Sequence, residues 1–280
     1  MLSRTLLIFA LILPFQALFA DTSLRVAGSS TVLPLIVDAA EAFKAKHPNT
    51  NITVSGGGSG TGINSAINGI IDIGMTSRRP TENENKKLQQ GFEIIDIATD
   101  AVAITVSKAV IESGIEQLSV QQVADIYRGK VKNWQELGGN NQKILVIDKE
   151  PSRGTRHVFA SLILGNAKAR APGASLVSGS NNEERSIISR SDQAIGMLSY
   201  AWLNDQARGI DLVLDDGKAV SPSKSNILDG SYPLQRSLSI IVSKQRGKDL
   251  QSFIDFLKSP DFSVLVEKNG YLPLNINSDA

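Results

Sequence analysis

The chain has 280 residues, of which 41% are hydrophobic, 5% aromatic and 20% charged, a composition typical of a globular protein with one large or two medium domains. Lysine and arginine number 29 against 28 acidic residues, so no overall basic field attracts the chain to nucleic acid or to an anionic membrane surface. The absence of cysteine excludes disulfides, thiolate metal sites and a lipid-modified cysteine. Any recognition of an anion must therefore depend on local groups.

The first twenty residues, "MLSRTLLIFALILPFQALFA", have the pattern of a secretory signal peptide. They carry one basic residue, Arg4, an apolar run from Leu6 to Leu13, and small residues before a predicted cleavage site after Ala20. The apolar run is too short for a membrane-spanning helix. We expect a signal peptide over residues 1–20 and, in a Gram-negative bacterium, a soluble periplasmic mature protein. The exact cleavage site stays open, because Leu18 is larger than the residue preferred there.

After the signal peptide, short β-branched runs alternate with longer segments of helical periodicity. The patterns predict strands at residues 23–29, 51–57, 71–77, 92–107, 143–150 and 237–243, and helices at 32–46, 62–68, 119–129, 154–165 and 248–259. This alternation is typical of an α/β fold with largely parallel sheets, in which ligands bind beyond the carboxyl ends of the strands.

Two β-rich runs indicate how the chain divides into domains. It contains no low-complexity linker and no internal repeat, so a division must be made by strands that cross between lobes. The runs "AVAITVS" and "LQRSLSIIVS" lie about 130 residues apart. If both cross together, residues 21–103 and 239–280 form a first lobe and residues 104–238 a second, with a hinge and a cleft between them.

Three turns from strand to helix carry hydroxyl groups. They are "AGSSTVLPL" with Ser29 to Thr31, "SGGGSGTGINS" with Ser59 and Thr61, and "KEPSRGTRHVF" with Arg153 to Thr155. The first turn of a helix has unsatisfied amides and the positive end of the helix dipole, which suit an oxyanion. One such turn is weak evidence, because Ser and Thr are common helix caps. Three in one chain favour convergence on a common anion.

A fourth segment, "DIGMTSRRP", ends a predicted strand with Ser77, Arg78 and Arg79. Arginine gives bidentate, charge-assisted hydrogen bonds to oxyanions in a dehydrated cleft. We expect Arg78 to contribute to the site, whereas Arg79 is equally consistent with a solvated loop.

The glycine-rich stretch from Ser55 to Ser65 does not match the nucleotide-binding loops. No Gly-Lys pair in the chain is followed by Ser or Thr, as a P-loop requires, and Ile63 occupies the last glycine position of G-x-G-x-x-G. A flexible linker is disfavoured because a helical apolar pattern resumes at Ile63. The remaining interpretation is an anion-binding helix start.

The motifs together resemble the substrate-binding proteins of phosphate-specific ABC transporters, a subset of the two-lobed periplasmic binding proteins. The resemblance spans nearly the whole mature chain, and its motifs occur in family order. They are "AGSSTVLPL", "SGGGSGTGI", "DIGMTSR", "VQQVADIYRGKVKNWQELGG", "KEPSRGTRHVF", "SDQAIGMLSY", "YPLQRSLSIIV" and "GYLPL". The segment 126–139, "IYRGKVKNWQELGG", is expected to be structural.

The resemblance implies an α/β protein of the type II periplasmic-binding-protein fold, with two lobes joined by two crossing strands and the ligand cleft between them. It implies that a monomer holds inorganic phosphate there and delivers it to permease subunits in the inner membrane, with no cofactor or metal. The phosphate-binding residues implied by the matching motifs are Ser30, Thr31, Ser59, Ser77, Arg78, Arg153, Gly154 and Thr155.

Two departures from the family pattern leave the anion open. Where many members read R-E-E-G-S-G-T-R, this chain has Lys149 in place of the first arginine and Arg153 in place of the serine before Gly-Thr. Some phosphate binders also place an aspartate in the "DIGMTSR" turn to accept a proton from the ligand, and in this chain Ser77 and Arg78 stand there instead. A buried acceptor rejects an anion that has no proton to give. Glu150 or Asp148 are the alternatives for this acceptor.

A binding protein is favoured over an enzyme. The only histidines are His47 and His157, and neither a zinc-protease nor a serine-hydrolase motif is present. We expect His47 near a helix end and His157 on a helix flank, so no catalytic residue is predicted. Binding of sulfate, molybdate or arsenate remains an alternative, as does a phosphate-responsive sensor or adhesin that is not coupled to transport.

Overall fold

The structure, a computed structural model, describes residues 22–274, and the predicted signal peptide lies outside them. The strands are β1 Thr22–Gly28, β2 Thr50–Gly56, β3 Ile73–Thr76, β4 Phe92–Ser107, β5 Gln117–Ser119, β6 Leu145–Lys149, β7 Leu176–Ser178, β8 Ala194–Ser199, β9 Ala207–Gly209, β10 Asp211–Val213, β11 Ala219–Val220 and β12 Gln235–Ser243. The α-helices are α1 Leu33–Lys46, α2 Ser59–Ile67, α3 Glu82–Leu88, α4 Lys108–Glu112, α5 Val120–Tyr127, α6 Gly154–Ile163, α7 Asn181–Ser189, α8 Lys224–Leu228, α9 Lys248–Phe256 and α10 Pro260–Lys268.

The local patterns predicted half of these elements, namely six strands and five helices. The strand expected over residues 92–107 is β4 with the same bounds, and the helix expected from residue 154 is α6. The sequence pattern predicted that the second helix begins at residue 62, but α2 begins at Ser59, inside the glycine-rich stretch. Its glycines therefore belong partly to the first helical turn.

The main sheet has the strand order β2-β1-β3-β12-β4-β8-β6-β7, with β9 also paired to β4. The expectation of largely parallel pairing is confirmed only for the outer strands. The pairs of β1 with β2 and β3, and of β6 with β7 and β8, are parallel. Both pairs that β12 makes and both pairs that β4 makes with β8 and β9 are antiparallel. The chain enters the second half of the molecule along β4 and returns along β12, so these two strands must run in opposite directions.

Two large hydrophobic cores lie on either side of this crossing. The first collects apolar side chains from residues 24–98 and 238–271. The second collects them from residues 101–234, together with Leu272. The protein therefore has two α/β lobes joined by two crossing strands.

The motif at residues 126–139 supports the second core. Tyr127 and Trp134 are buried there, and the Tyr127 ring packs on Phe159 with the ring centroids 4.5 Å apart. The Trp134 indole N–H donates to the carbonyl of Gln193 at 3.0 Å. These contacts agree with the structural role expected for this segment. No helix within residues 22–274 is long and apolar enough to cross a membrane.

Candidate anion-binding site

Four helices begin around one small space between the lobes. In each case a strand of a parallel pair ends, and the chain turns into the helix: β1 leads to α1, β2 to α2, β6 to α6 and β7 to α7. Carboxyl ends of parallel strands are the usual place for ligands in α/β folds. The residues that line the space are Ser29, Ser30, Thr31, Gly58, Lys149, Arg153, Gly154, Thr155, Ser180 and Asn181.

The starts of α1, α2 and α6 have no capping side chain. Their N-cap residues are Val32, Gly58 and Arg153, and none of the three accepts a side-chain cap hydrogen bond. By contrast, α3, α5, α8 and α10 have Ser or Thr caps, although α4 and α9 are also uncapped. The uncapped first turn of α6 leaves backbone amides and a positive helix end for an anionic ligand, whereas the Gly60 amide at the start of α2 already donates to the Ser152 carbonyl.

The hydroxyls of the first lobe form a connected network. Ser29 Oγ donates to Ser77 Oγ at 2.9 Å, and the amide of Thr31 donates to Ser29 Oγ at 3.2 Å. The amide of Ser77 donates to Ser59 Oγ at 3.0 Å. The turn after β3 is thereby fixed to the starts of α1 and α2.

The two lobes contact each other at the site. Thr31 Oγ1 of the first lobe lies 3.4 Å from Thr155 Oγ1 of the second. The amide of Gly60 donates to the carbonyl of Ser152 at 3.1 Å. A Cβ atom at Gly154 would overlap the hydroxyls of Ser59 and Ser77. Any larger residue at 154 would therefore have to displace these hydroxyls.

Glycines of the "SGGGSGTG" stretch permit two close approaches. Gly58 has a positive φ of 98°, and a Cβ there would lie 2.9 Å from the Ser152 carbonyl of the other lobe. Gly62 packs so tightly on β1 and β3 that a Cβ would lie 2.9 Å from the Cα of Gly28. Glycine is required at these positions because a side chain would collide with backbone.

Cationic side chains around the site are each paired with a carboxylate. Lys149 pairs with Glu184, and Arg153 pairs with Glu150. Further pairs are Arg78 with Glu84, Arg156 with Asp148, and Arg236 with Asp100. An anion in this space would therefore meet hydroxyls, amides and neutralised ion pairs rather than an excess of positive charge.

The Lys149–Glu184 pair is almost completely buried. Burial lowers the pKa of Lys149, and burial raises the pKa of Glu184, while each partner opposes the shift of the other. Glu184 also accepts from the amide of Met197 at 2.6 Å and from Ser178 Oγ at 3.0 Å. Lys149 is thus a cation that the second lobe holds through a buried carboxylate.

Arg236, on the crossing strand β12, was not singled out from the sequence. Its guanidinium donates twice to Asp100, at 3.0 and 2.7 Å, and to Thr155 Oγ1 at 3.0 Å. It also donates to the carbonyl of Ser77 at 3.3 Å. One arginine at the crossing therefore contacts a site segment from each lobe. The sequence around Arg236 does not predict these contacts, because Asp100 and Thr155 lie far from it in the chain.

Seven of the eight predicted site residues lie together. Ser30, Thr31, Arg153, Gly154 and Thr155 line the space, and Ser59 and Ser77 lie directly against Gly154. Arg78 does not line it. Its guanidinium makes two hydrogen bonds to Glu84, at 2.8 and 2.9 Å. Binding by these residues stays a prediction.

The start of α7 was missed. Ser180 Oγ accepts from the amide of Glu183 at 3.1 Å, so Ser180 caps the helix, and Asn181 is its first residue. The available signal was "GSNNEE", a serine followed by a glutamate three residues later, which is typical of a helix N-terminus.

Neither carboxylate considered as a proton acceptor lines the space. Asp148 accepts from Arg156, at 3.2 and 3.3 Å, and Glu150 accepts from Arg153. His157 lies one turn into α6, half-buried, and burial lowers its pKa. Within residues 22–274, no three His, Asp or Glu side chains are grouped as a metal site would require.

Comparison with known proteins shows which family the chain belongs to. The family model described as the PBP superfamily domain matches residues 16–261. A phosphate-binding protein PstS of Bacillus subtilis is 31% identical over 258 residues, which cover 91% of this chain and 82% of the relative. The chain belongs to the PBP superfamily and its PstS family.

Two solved structures of similar proteins have the same fold as this chain. A substrate-binding protein of Clostridium perfringens with bound phosphate has a TM-score of 0.81 and 30% identity, covering 90% of this chain and 100% of that one. An ABC-type phosphate transport receptor of Vibrio cholerae has a TM-score of 0.74 and 32% identity, with the same coverage. This PBP superfamily member therefore has the two-lobed fold that its sequence motifs imply.

Proposed function

We propose that this protein captures inorganic phosphate between its two lobes and delivers it to the permease of an ABC transporter. The observation that carries the proposal is the convergence of hydroxyls and uncapped helix starts from both lobes on one space. These groups stabilise an oxyanion through amides, hydroxyls and helix dipoles. The B. subtilis relative is a phosphate-binding protein, and the C. perfringens neighbour holds phosphate.

Binding couples to closure of the cleft. Ser30, Thr31 and Ser59 belong to the first lobe, proposed as residues 21–103 and 239–280, and Thr155 belongs to the second, proposed as 104–238. An anion that bonds to both groups stabilises the closed arrangement by its differential affinity for it. The permease then distinguishes the closed, loaded protein from the open one.

The proposed cellular location is based on the signal-peptide pattern at residues 1–20. The protein acts as a periplasmic monomer, binds its ligand without cofactor or metal, and performs no catalysis. Deletion of the gene is expected to reduce phosphate uptake, which separates transport from a sensing or adhesive role. Unchanged uptake after deletion would contradict the transport role.

Titration calorimetry of the mature protein tests the ligand. We expect saturable binding of phosphate and of arsenate, with sulfate and molybdate bound much more weakly, from acidic to mildly basic pH. Binding of sulfate or molybdate without binding of phosphate would overturn the phosphate assignment and leave the fold unaffected.

A further inference from the structure

Arg236 lies on the crossing strand β12, at the point where the two cores meet. Leu234 belongs to the second core and Leu238 to the first, so Arg236 stands between them. It lies opposite Asp100 in the antiparallel pairing of β12 with β4, the other crossing strand. Its side chain is 3% exposed, and that of Asp100 is completely buried. The guanidinium is therefore held where both strands pass from one lobe to the other.

The guanidinium of Arg236 reaches one site segment in each lobe. Its Nε and Nη2 donate to one oxygen of Asp100, and Ser199 Oγ donates to the other oxygen at 2.8 Å. Its Nη1 donates to the Ser77 carbonyl of the first lobe at 3.3 Å and to Thr155 Oγ1 of the second at 3.0 Å. Nη1 carries two N–H groups, so one is available for each lobe. The buried carboxylate thereby fixes a fork that spans the cleft.

The bond from Arg236 determines how the Thr155 hydroxyl can donate. A guanidinium has no acceptor, so Thr155 Oγ1 must accept from Nη1 and its own proton must point elsewhere. Thr155 lines the space between the lobes, and so does Thr31, whose Oγ1 lies 3.4 Å from Thr155 Oγ1. The proton of Thr155 is therefore left for Thr31 or for an anion in that space.

We propose that Arg236 is a positioning residue for phosphate, which orients the Thr155 hydroxyl as a donor to the anion while it holds the Ser77 turn of the first lobe. This inference rests on the proposed binding of phosphate between the lobes. A hydroxyl that is already oriented loses less freedom on binding, and its hydrogen bond to an anion is charge-assisted. A change at Arg236 should therefore weaken phosphate binding, and should do so through Thr155.

The test is a double-mutant cycle of Arg236→Lys with Thr155→Val, in which titration calorimetry measures the phosphate Kd. Lysine keeps the positive charge beside Asp100, but its single nitrogen does not reproduce the fork of the guanidinium. Valine has the shape of threonine without the hydroxyl, and Thr155→Ser is the matched variant that keeps the hydroxyl. The control is Arg246→Lys, because Arg246 pairs with Glu93 and lies outside the lining of the space.

We expect Arg236→Lys to raise the phosphate Kd by about tenfold in the wild-type and Thr155→Ser backgrounds, but by less than about twofold in the Thr155→Val background. The control should leave the Kd within about twofold in each background.

Ser199→Ala gives a milder second test, because it keeps both partners of the ion pair and frees only one oxygen of Asp100. It should raise the phosphate Kd by about threefold, again only where residue 155 carries a hydroxyl. If Arg236→Lys does not fold, this variant decides the question alone.

Two results would overturn the inference. Equal increases of the Kd with and without the Thr155 hydroxyl would mean that Arg236 supports the fold rather than this group. An unchanged Kd in Arg236→Lys, or in Ser199→Ala where that variant decides, would mean that Thr155 needs no orientation by Arg236. In both cases the wild type still binds phosphate. If it does not, the proposed function itself is wrong, so the two failures are distinguishable.

Discussion

At the residue scale, Arg153 of the "KEPSRGTRHVF" segment and Arg79 of the "DIGMTSRRP" segment differ in their exposure and in their contacts. Arg153 lines the site and its side chain is 16% exposed, whereas Arg79 is 67% exposed and bonds to Asp96. We expect Arg153→Ala to weaken phosphate binding by about tenfold or more, because a charge-assisted contact is lost, and Arg79→Ala by less than about twofold. Calorimetry measures both. Equal and small effects would show that Arg153 does not contact the anion.

The buried pair of Arg236 and Asp100 leads to a prediction about stability. Removal of one partner from a buried ion pair leaves an uncompensated charge and costs about 3 to 5 kcal/mol. We expect this loss in the free energy of unfolding for Arg236→Gln, measured by chemical denaturation. The exposed pair of Lys46 and Asp261 is the control, because Lys46→Gln should cost less than about 1 kcal/mol.

The double variant Asp100→Asn with Arg236→Gln completes this test. It should be more stable than the sum of the two single losses predicts, since neither remaining group is charged. Strict additivity would contradict a direct interaction between the two side chains.

Glu84 predicts a dependence of stability on pH. Burial raises the pKa of Glu84, but hydrogen bonds from Arg78 and from the backbone of Thr81 outweigh it, and the net pKa lies below its ordinary value of 4.5. A lowered folded-state pKa stabilises the fold above 4.5, and this contribution disappears as the pH falls through the folded-state value. The difference in unfolding free energy between wild type and Glu84→Gln should therefore shrink as the pH is lowered. A difference that grows in acid would contradict the lowered pKa.

At the scale of elements, the helix starts determine how closely the lobes approach. A Cβ at Gly154, the first residue of α6, would overlap two hydroxyls of the first lobe. We expect Gly154→Ala to weaken phosphate binding by about 100-fold, because the cleft no longer closes, while each lobe keeps its own core. The control is Gly247→Ala at the start of α9, where a Cβ has open space. Similar affinities for the two variants would show that closure at Gly154 is not needed.

Half of the helices and strands in the described residues were predictable, because their apolar patterns are local. The apolar periodicity of 32–46 and 154–165 identifies α1 and α6 without reference to any distant residue. The start of α2 was less predictable, since glycines weaken helical propensity; in the structure residues 59–62 are helical, and Gly62 packs closely on Gly28.

At the scale of the whole molecule, ligand entry requires the lobes to separate. The 3.4 Å between Thr31 Oγ1 and Thr155 Oγ1 leaves no room for a tetrahedral anion to pass between these hydroxyls. We therefore expect an open form in solution, and a shift of the population towards the closed form when phosphate binds. We expect the radius of gyration from small-angle scattering to fall on addition of phosphate. No change in the wild type would contradict a hinge mechanism.

Phosphate should also raise the unfolding free energy, because it binds only the folded protein. A phosphate concentration of 100 times Kd is expected to add about 2.7 kcal/mol, measured by denaturation at fixed protein concentration. The Gly154→Ala variant at the same phosphate concentration serves as the control and should gain much less. An equal gain would mean that the stabilising phosphate binds elsewhere.

The sequence by itself determined the α/β class, the hydroxyl-bearing helix starts and the resemblance to the PstS family, because these depend on local periodicity and on contiguous motifs. Only the tertiary structure decided the antiparallel centre of the sheet, the pairing of Arg78 with Glu84, and the places of Arg236 and Asn181. Arg236 reaches Thr155 across 81 positions, and Asn181 reaches Thr31 across 150. Such contacts follow from how two lobes pack, which no pattern within a short segment records.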